Sequence, residues 1–254
     1  SSLNMLAIDV NPLALDRLSS RWNSYMEHTT ANSTTKVTVT TLCADLAQQA
    51  TIPEDTAAIL SLHACGAATD MAIRLATSNN VPFVISPCCI GKITTQRVTT
   101  LPPRARVHVR GIYYGHDDDE IISESASFQR SGAPKDITYP RSDWLLQNLS
   151  PSSTSSDDTI DELAEIIKDK FSLLAKIADM GLGPQSSTEQ IEHQRVAKMV
   201  IEMDRLMGVA ETNLYEVRLM KLKHHDGYGK TELLLGAPIH SKAADIIRDL
   251  PVVM

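Results

Sequence analysis

The spacing of apolar residues changes several times along this chain, and each change marks an element. Asn4 to Ile8 and Lys36 to Leu42 are short apolar or β-branched runs that read as strands. Between them, Asn11-Pro12 opens an amphipathic helix with Leu15, Leu18 and Trp22 on one face. Proline suits a first helical turn, where its absent N–H costs nothing. From Ala57 to Gly91 the order is strand, turn, helix, strand, turn. After Asp157 and Asp158, the residues Ile160, Leu163, Ala164, Ile167, Phe171, Leu174, Ala175 and Ala178 recur at helical spacing, and Gly181 and Gly183-Pro184 stop them. Ser187 and Gln190 form a capping box for the next helix. Its apolar stripe is expected at Val196, Met199, Val200, Met203, Leu206 and Met207. Leu214 to Leu222 and Lys230 to Gly236 read as a terminal antiparallel hairpin, with Asp226-Gly227 as its turn signal. Residues 131–158, rich in Ser and Asp toward their end, read as a mobile surface loop in which Trp144 is an apolar anchor.

Strands separated by helices predict an α/β fold with a mostly parallel sheet, and the final hairpin adds an antiparallel edge. The chain has 254 residues, 43% of them hydrophobic, which suits one α/β domain over 1–254 with a substantial core. Four cysteines without a spaced, even framework argue against a disulfide scaffold and for a reducing compartment, so a cytoplasmic location is expected. No apolar run approaches the ~18 residues of a membrane helix.

The candidate chemistry lies where the strands end. In an open α/β sheet the carboxyl ends of the strands face the ligand crevice. Asp9 follows the first strand and Asp45 the second, and carboxylates there can accept hydrogen bonds from ribose hydroxyls or an adenine amine. The plainer alternative is that both are ordinary helix caps. The next two strands end in His63-Ala64-Cys65-Gly66 and Pro87-Cys88-Cys89. His63 can serve as a base or orient a substrate, and Cys65 can serve as a nucleophile. A soft cation held by His63, Cys65, Cys88 and Cys89 is a further reading, although no CxxC is present and no metal is expected. In the plainest reading the cysteines pack as small hydrophobes and Gly66 permits a tight turn.

The net charge of −7 argues against a surface generally suited to nucleic acid. Yet Gly91 to His116 contains Lys92, Arg97, Arg104, Arg106 and Arg110 and no acid. This stretch can receive substrate phosphates or form the solvated face of a strand, VHVRGIYY. Asp204-Arg205 reads as a local ion pair on a helix surface, and His224 and His225 as solvated loop residues.

DVNPLAL, CADL, SLHACGAATD and ISPCCIG together resemble the S-adenosylmethionine-dependent methyltransferase domain with LHxCG and PCC motifs. That domain is carried by the glutathione-S-transferase-C-terminal-domain-containing protein and related methyltransferase-like proteins. A similar KHLCG-type motif occurs in enzymes that 2′-O-methylate the tRNA acceptor stem. YPRS at Tyr139 to Ser142 and the MDR at Met203 to Arg205 fit the same group. The resemblance implies the class I, Rossmann-like fold with strand order 3-2-1-4-5-7-6, and S-adenosyl-L-methionine as cofactor. It implies Asp9, Asn11, Asp45, Leu46, His63 and Gly66 as cofactor-binding, and His63 and Cys65 at the methyl-transfer centre. Cys88, Cys89, Arg104, Arg106, Tyr139 and Arg141 fall on the substrate side, with RNA, as a tRNA-like molecule, the expected substrate. The family's glycine-rich first strand and loop have no counterpart here, so the domain reads as truncated at its N-terminus. A catalytically inactive scaffold that binds a protein or RNA partner is the rival reading.

Overall fold

The computed structural model describes residues 2–9, 11–29, 36–46, 52–87, 90, 92–98, 107–112, 137, 139–151, 160–181, 185–221 and 232–250. Cys88, Cys89, Arg104, Arg106, His224 and His225 lie outside the described residues. The chain divides into two compact units, one built on residues 1–50, the other on 51–116 and 132–254.

The first unit is a strand–helix–strand repeat. β1 (Ser2–Asp9) and β2 (Lys36–Cys43) pair in parallel with Asp9 opposite Cys43, and α1 (Pro12–Thr29) connects them. Asn11 starts α1 as foreseen, its Oδ1 accepting the Leu13 N–H at 3.0 Å. The predicted helix face is only partly used: Leu15 is buried, Trp22 is half-buried and Leu18 is exposed.

The second unit holds a four-stranded sheet in the order β3-β4-β8-β7. β3 (Ile59–Leu62) and β4 (Phe83–Ser86) are parallel and joined through α2 (Ala67–Ser78). β7 (Tyr215–Lys221) and β8 (Glu232–Pro238) form the expected antiparallel hairpin, and β8 pairs antiparallel with β4. β5 (Lys92–Val98) and β6 (Val107–Ile112) make a separate antiparallel pair. α3 (Asp143–Leu149), α4 (Ile160–Ala178), α5 (Thr188–Ala210) and α6 (Lys242–Asp249) complete the unit. None of the described helices is long and apolar enough to cross a membrane.

The core is built where the sequence periods agree. Met71, Ile73, Leu75 and Ala76 of α2 are buried, as are Phe83 and Ile85 of β4 and Leu234 of β8. In α4, Ala164, Ile167, Phe171, Ala175 and Ala178 are buried at the expected spacing. α5 departs from expectation. Val196, Met199 and Met203 are exposed, and the buried face runs through Ala197, Ile201, Glu202, Asp204, Arg205, Leu206 and Val209. Its methionine-rich stripe faces solvent because the helix turns charged residues inward. The capping box is as foreseen: Ser187 Oγ accepts from Gln190 N at 3.1 Å and Gln190 Oε1 from Ser187 N at 2.9 Å.

The expected loop 131–158 contains ordered structure. α3 lies within it, and Ile137, Tyr139, Ser142 and Leu145 are buried. Trp144 is 36% exposed, while Leu145 beside it supplies the anchor.

Close packing makes one glycine necessary. A Cβ at Gly236 would lie 2.3 Å from two atoms of the Phe83 ring, which is 1% exposed and stacks on Tyr215. Gly236→Ala therefore should destabilise the second unit by about 1–3 kcal/mol, the usual cost of overpacking. Thermal unfolding is the check, and an unchanged melting temperature would mean the Phe83 ring is free to move.

Candidate functional site

Two strand ends come together in the first unit. Ala44 N donates to Asp9 O at 3.0 Å, which sets Asp45 two residues beyond the end of β2 and near the end of β1. Asp9 is exposed, and its Oδ1 accepts the Asn11 N–H at 2.8 Å. The capping role and a ligand role are therefore compatible: one carboxylate oxygen holds the β1–α1 turn, and the other makes no hydrogen bond among the described residues. Asn11 is exposed, while Asp45 and Leu46 are half-buried.

In the second unit, His63 N donates to Ser86 O at 3.0 Å, so the β3 and β4 strands end level. The turn from His63 to Gly66 is conformationally unusual. His63 has φ 59°, a left-handed value uncommon outside glycine and asparagine, and Gly66 has φ 56° and ψ −130°. The second combination is accessible essentially only to glycine. His63 is exposed, and Cys65 and Gly66 are half-buried. The sulfur of Cys65 is in a disulfide bond, whereas the exposed Cys43 is in none. In this state Cys65 offers no thiolate, so the nucleophile reading of Cys65 is not available to it. Thr69 Oγ1 donates to Ala64 O at 2.6 Å and ties the turn to the first turn of α2. Just beyond Cys88-Cys89, Ile90 is buried and its N–H is held by Asp179 at 3.0 Å.

Beneath this turn lies a buried charged cluster that the sequence reading missed. Asp70 of α2 and Glu202 and Arg205 of α5 are at most 1% exposed. Arg205 Nε and Nη2 donate to Asp70 Oδ2 at 3.2 and 3.0 Å, and Nη1 donates to Glu202 Oε2 at 3.1 Å. Nη2 also donates to Gly66 O at 2.8 Å. Burial works against the guanidinium charge, but Asp70 and Glu202 more than offset it and hold the Arg205 pKa well above its ordinary value. Burial likewise raises the Glu202 pKa, with Arg205 opposing the shift. Arg205 therefore does not form the expected surface pair with Asp204.

The Tyr139–Ser142 segment attaches to the same cluster. Tyr139 is fully buried and its hydroxyl donates to Asp70. Burial, then the Asp70 charge, raise its pKa well above the usual phenol value. Tyr139 is thus inaccessible to a substrate, which corrects its expected place on the substrate side. Arg141 keeps partial exposure, 22% of its side chain, with Nε 3.6 Å from Asp70 Oδ1. Asp204 accepts from Arg141 N at 2.7 Å, Ser142 N at 2.9 Å and Ser142 Oγ at 2.6 Å. Ser142 Oγ in turn accepts the Leu145 N–H, and Glu211 accepts those of Asp143 and Trp144. α3 is therefore capped by two side chains from elsewhere in the second unit and by its own serine.

A sequence signal for the cluster existed. Arg205 lies four residues from both Ile201 and Val209, on the face α5 buries, and Asp70 lies three before Ile73 on the buried side of α2. A charge at an apolar-face position points to a buried partner.

Residues 2–96 match a family model described as a methyltransferase domain. No curated protein and no solved structure matches the chain.

Burial raises the Asp204 pKa to about 6, with the Arg141 and Ser142 hydrogen bonds opposing the shift. The folded protein thus binds more protons than the unfolded chain between the ordinary aspartate range and about pH 6, and this group's contribution to stability falls as pH rises through that window. Asp204→Asn removes the titration. The stability of the wild type minus that of the variant should be larger at pH 4.5 than at pH 7, measured by urea unfolding at both, and the opposite ordering would overturn the assignment.

Proposed function

We propose that this chain carries a class I methyltransferase fold and transfers a methyl group from S-adenosylmethionine to an RNA acceptor. The observation that carries the reading is the methyltransferase-domain match over residues 2–96, which spans Asp9, Asp45 and the His63–Gly66 turn. The strand orders support it. The β3-β4-β8-β7 sheet, with β8 antiparallel between β4 and β7, corresponds to the 4-5-7-6 run of that fold, and the β1–β2 pair to its 3-2 run.

The residues present suit the cofactor. Asp9 offers an exposed carboxylate oxygen at a strand end, where a ribose diol can donate two hydrogen bonds. In the first unit Asp9 and Asn11 are assigned to the ribose, and Asp45 and Leu46 to the adenine. In the second unit Gly66 gives close backbone approach, and the exposed His63 orients the acceptor or takes its proton. S-adenosylmethionine, when bound, supplies an activated sulfonium methyl group, so the protein's task is mainly alignment. Methylation at oxygen or nitrogen needs no covalent enzyme intermediate, which agrees with Cys65 being held in a disulfide. Cys88 and Cys89 are assigned to the far wall of the substrate side. Arg104 and Arg106 are assigned to RNA phosphates, together with the partly exposed Arg141.

Calorimetry with S-adenosylhomocysteine tests the cofactor. Asp9→Ala should weaken binding by about 1.5–3 kcal/mol, the scale of a hydrogen bond to a charged group. Unchanged affinity would remove Asp9 from the site, and no binding by the wild type would favour the inactive scaffold. The substrate has its own test. Reversing Arg104 and Arg106 to Glu should weaken RNA retention and flatten its salt dependence while leaving S-adenosylhomocysteine affinity unchanged. If the wild type retains no RNA at low salt, RNA is not the acceptor.

A further inference from the structure

We propose that Arg205 is a positioning residue for the His63–Gly66 turn, acting from α5 through the Gly66 carbonyl. The turn carries two left-handed residues, and Gly66 caps α2 without any side-chain cap of its own. Backbone held in such conformations persists only when its surroundings over-determine it. Beside the Cys65 disulfide, three hydrogen bonds among the described residues do so here. His63 N is bonded to Ser86 O, Ala64 O accepts from Thr69, and Gly66 O accepts from Arg205 at 2.8 Å. The first two are local to the β3–α2–β4 unit. Arg205 reaches the turn from 139 residues away.

The guanidinium suits this task and an ammonium does not. Its planar fork makes four hydrogen bonds at once: two to Asp70 Oδ2, one to Glu202 Oε2 and one to Gly66 O. Asp70 and Glu202 fix the plane of the fork, and the second N–H of Nη2 goes to the Gly66 carbonyl. Asp70 also accepts the Tyr139 hydroxyl, so the same anchor that orients Arg205 holds the Tyr139–Ser142 segment. The turn and that segment are set by one buried pair.

The ligand arm of the test rests on the cofactor reading above, and the backbone arm does not. Arg205→Lys keeps the charge and loses the fork. Hydrogen exchange should become about tenfold or more faster at the amides of residues 63–69 than in the wild type, while amides of β7 and β8 change far less. S-adenosylhomocysteine affinity should fall about tenfold as well. Glu202→Gln, which keeps an amide oxygen to accept from Nη1 and so leaves the fork and its Gly66 contact in place, should alter both within about twofold. Should Arg205→Lys fail to fold, the triple change Asp70→Asn, Glu202→Gln, Arg205→Met removes the buried charges together, a replacement that proteins often tolerate. It should show the same local loosening. Unchanged local exchange, or an equal effect of Glu202→Gln, would overturn the proposal. A wild type that binds no S-adenosylhomocysteine but shows the exchange difference would overturn the cofactor reading and leave Arg205 in its role.

Discussion

Asp70 and Arg205 are an ion pair with both side chains wholly out of water. Desolvating two charges costs several kcal/mol each, and their attraction offsets that only when the remaining polar atoms are also satisfied. The protein meets most of the condition with neighbours drawn from four places: Glu202 one turn away, the Gly66 carbonyl, the Tyr139 hydroxyl and the Arg141 guanidinium. Removing either member would leave the other buried and only partly compensated. α2, α5 and the Tyr139–Ser142 segment are therefore committed to one mutual arrangement, and the β3–α2 turn inherits its geometry from it.

The cluster is not fully satisfied by hydrogen bonds. Asp70 Oδ1 and Glu202 Oε1 are buried and make none, although Asp70 Oδ1 faces Arg141 Nε at 3.6 Å. A network of this kind contributes little net stability compared with apolar packing of the same volume. What it supplies is uniqueness: a fork with fixed directions accepts only one placement of its partners. Asp204 serves the same end by another route. Its two oxygens gather two backbone N–H groups and a hydroxyl from a segment that the sequence marks as loop, and α3 then starts from a fixed point.

These features put the candidate chemistry on rigid supports. His63 stands at the end of β3, level with Ser86 of β4, on a turn whose carbonyls are tied to α2 and α5. Asp9 stands at the end of β1 beside the end of β2. Strand ends carry side chains outward without requiring the sheet to move, so loops can hold the chemistry while the core holds the fold.

The sequence by itself determined the elements whose signals are local. The capping box at Ser187, the proline at the start of α1, the alternating hairpin strands and the 3.6-residue period of α4 depend on neighbours a few residues apart, and each is present. It also placed Asp9, Asp45, His63 and Gly66 at strand ends, because strand termini are legible from where apolar runs stop. Only the tertiary structure decided which face α5 buries, that Tyr139 is inside, and that residues within 131–158 form a capped helix. In each case a polar group is buried because a partner 62 to 139 residues away satisfies it. Periodicity reads Asp204 and Arg205 as surface charges and Met199 and Met203 as core. A buried charge is stabilised by partners from other elements; the spacing along one helix can mark that a charge falls on the buried face, but it does not say which residues those partners are.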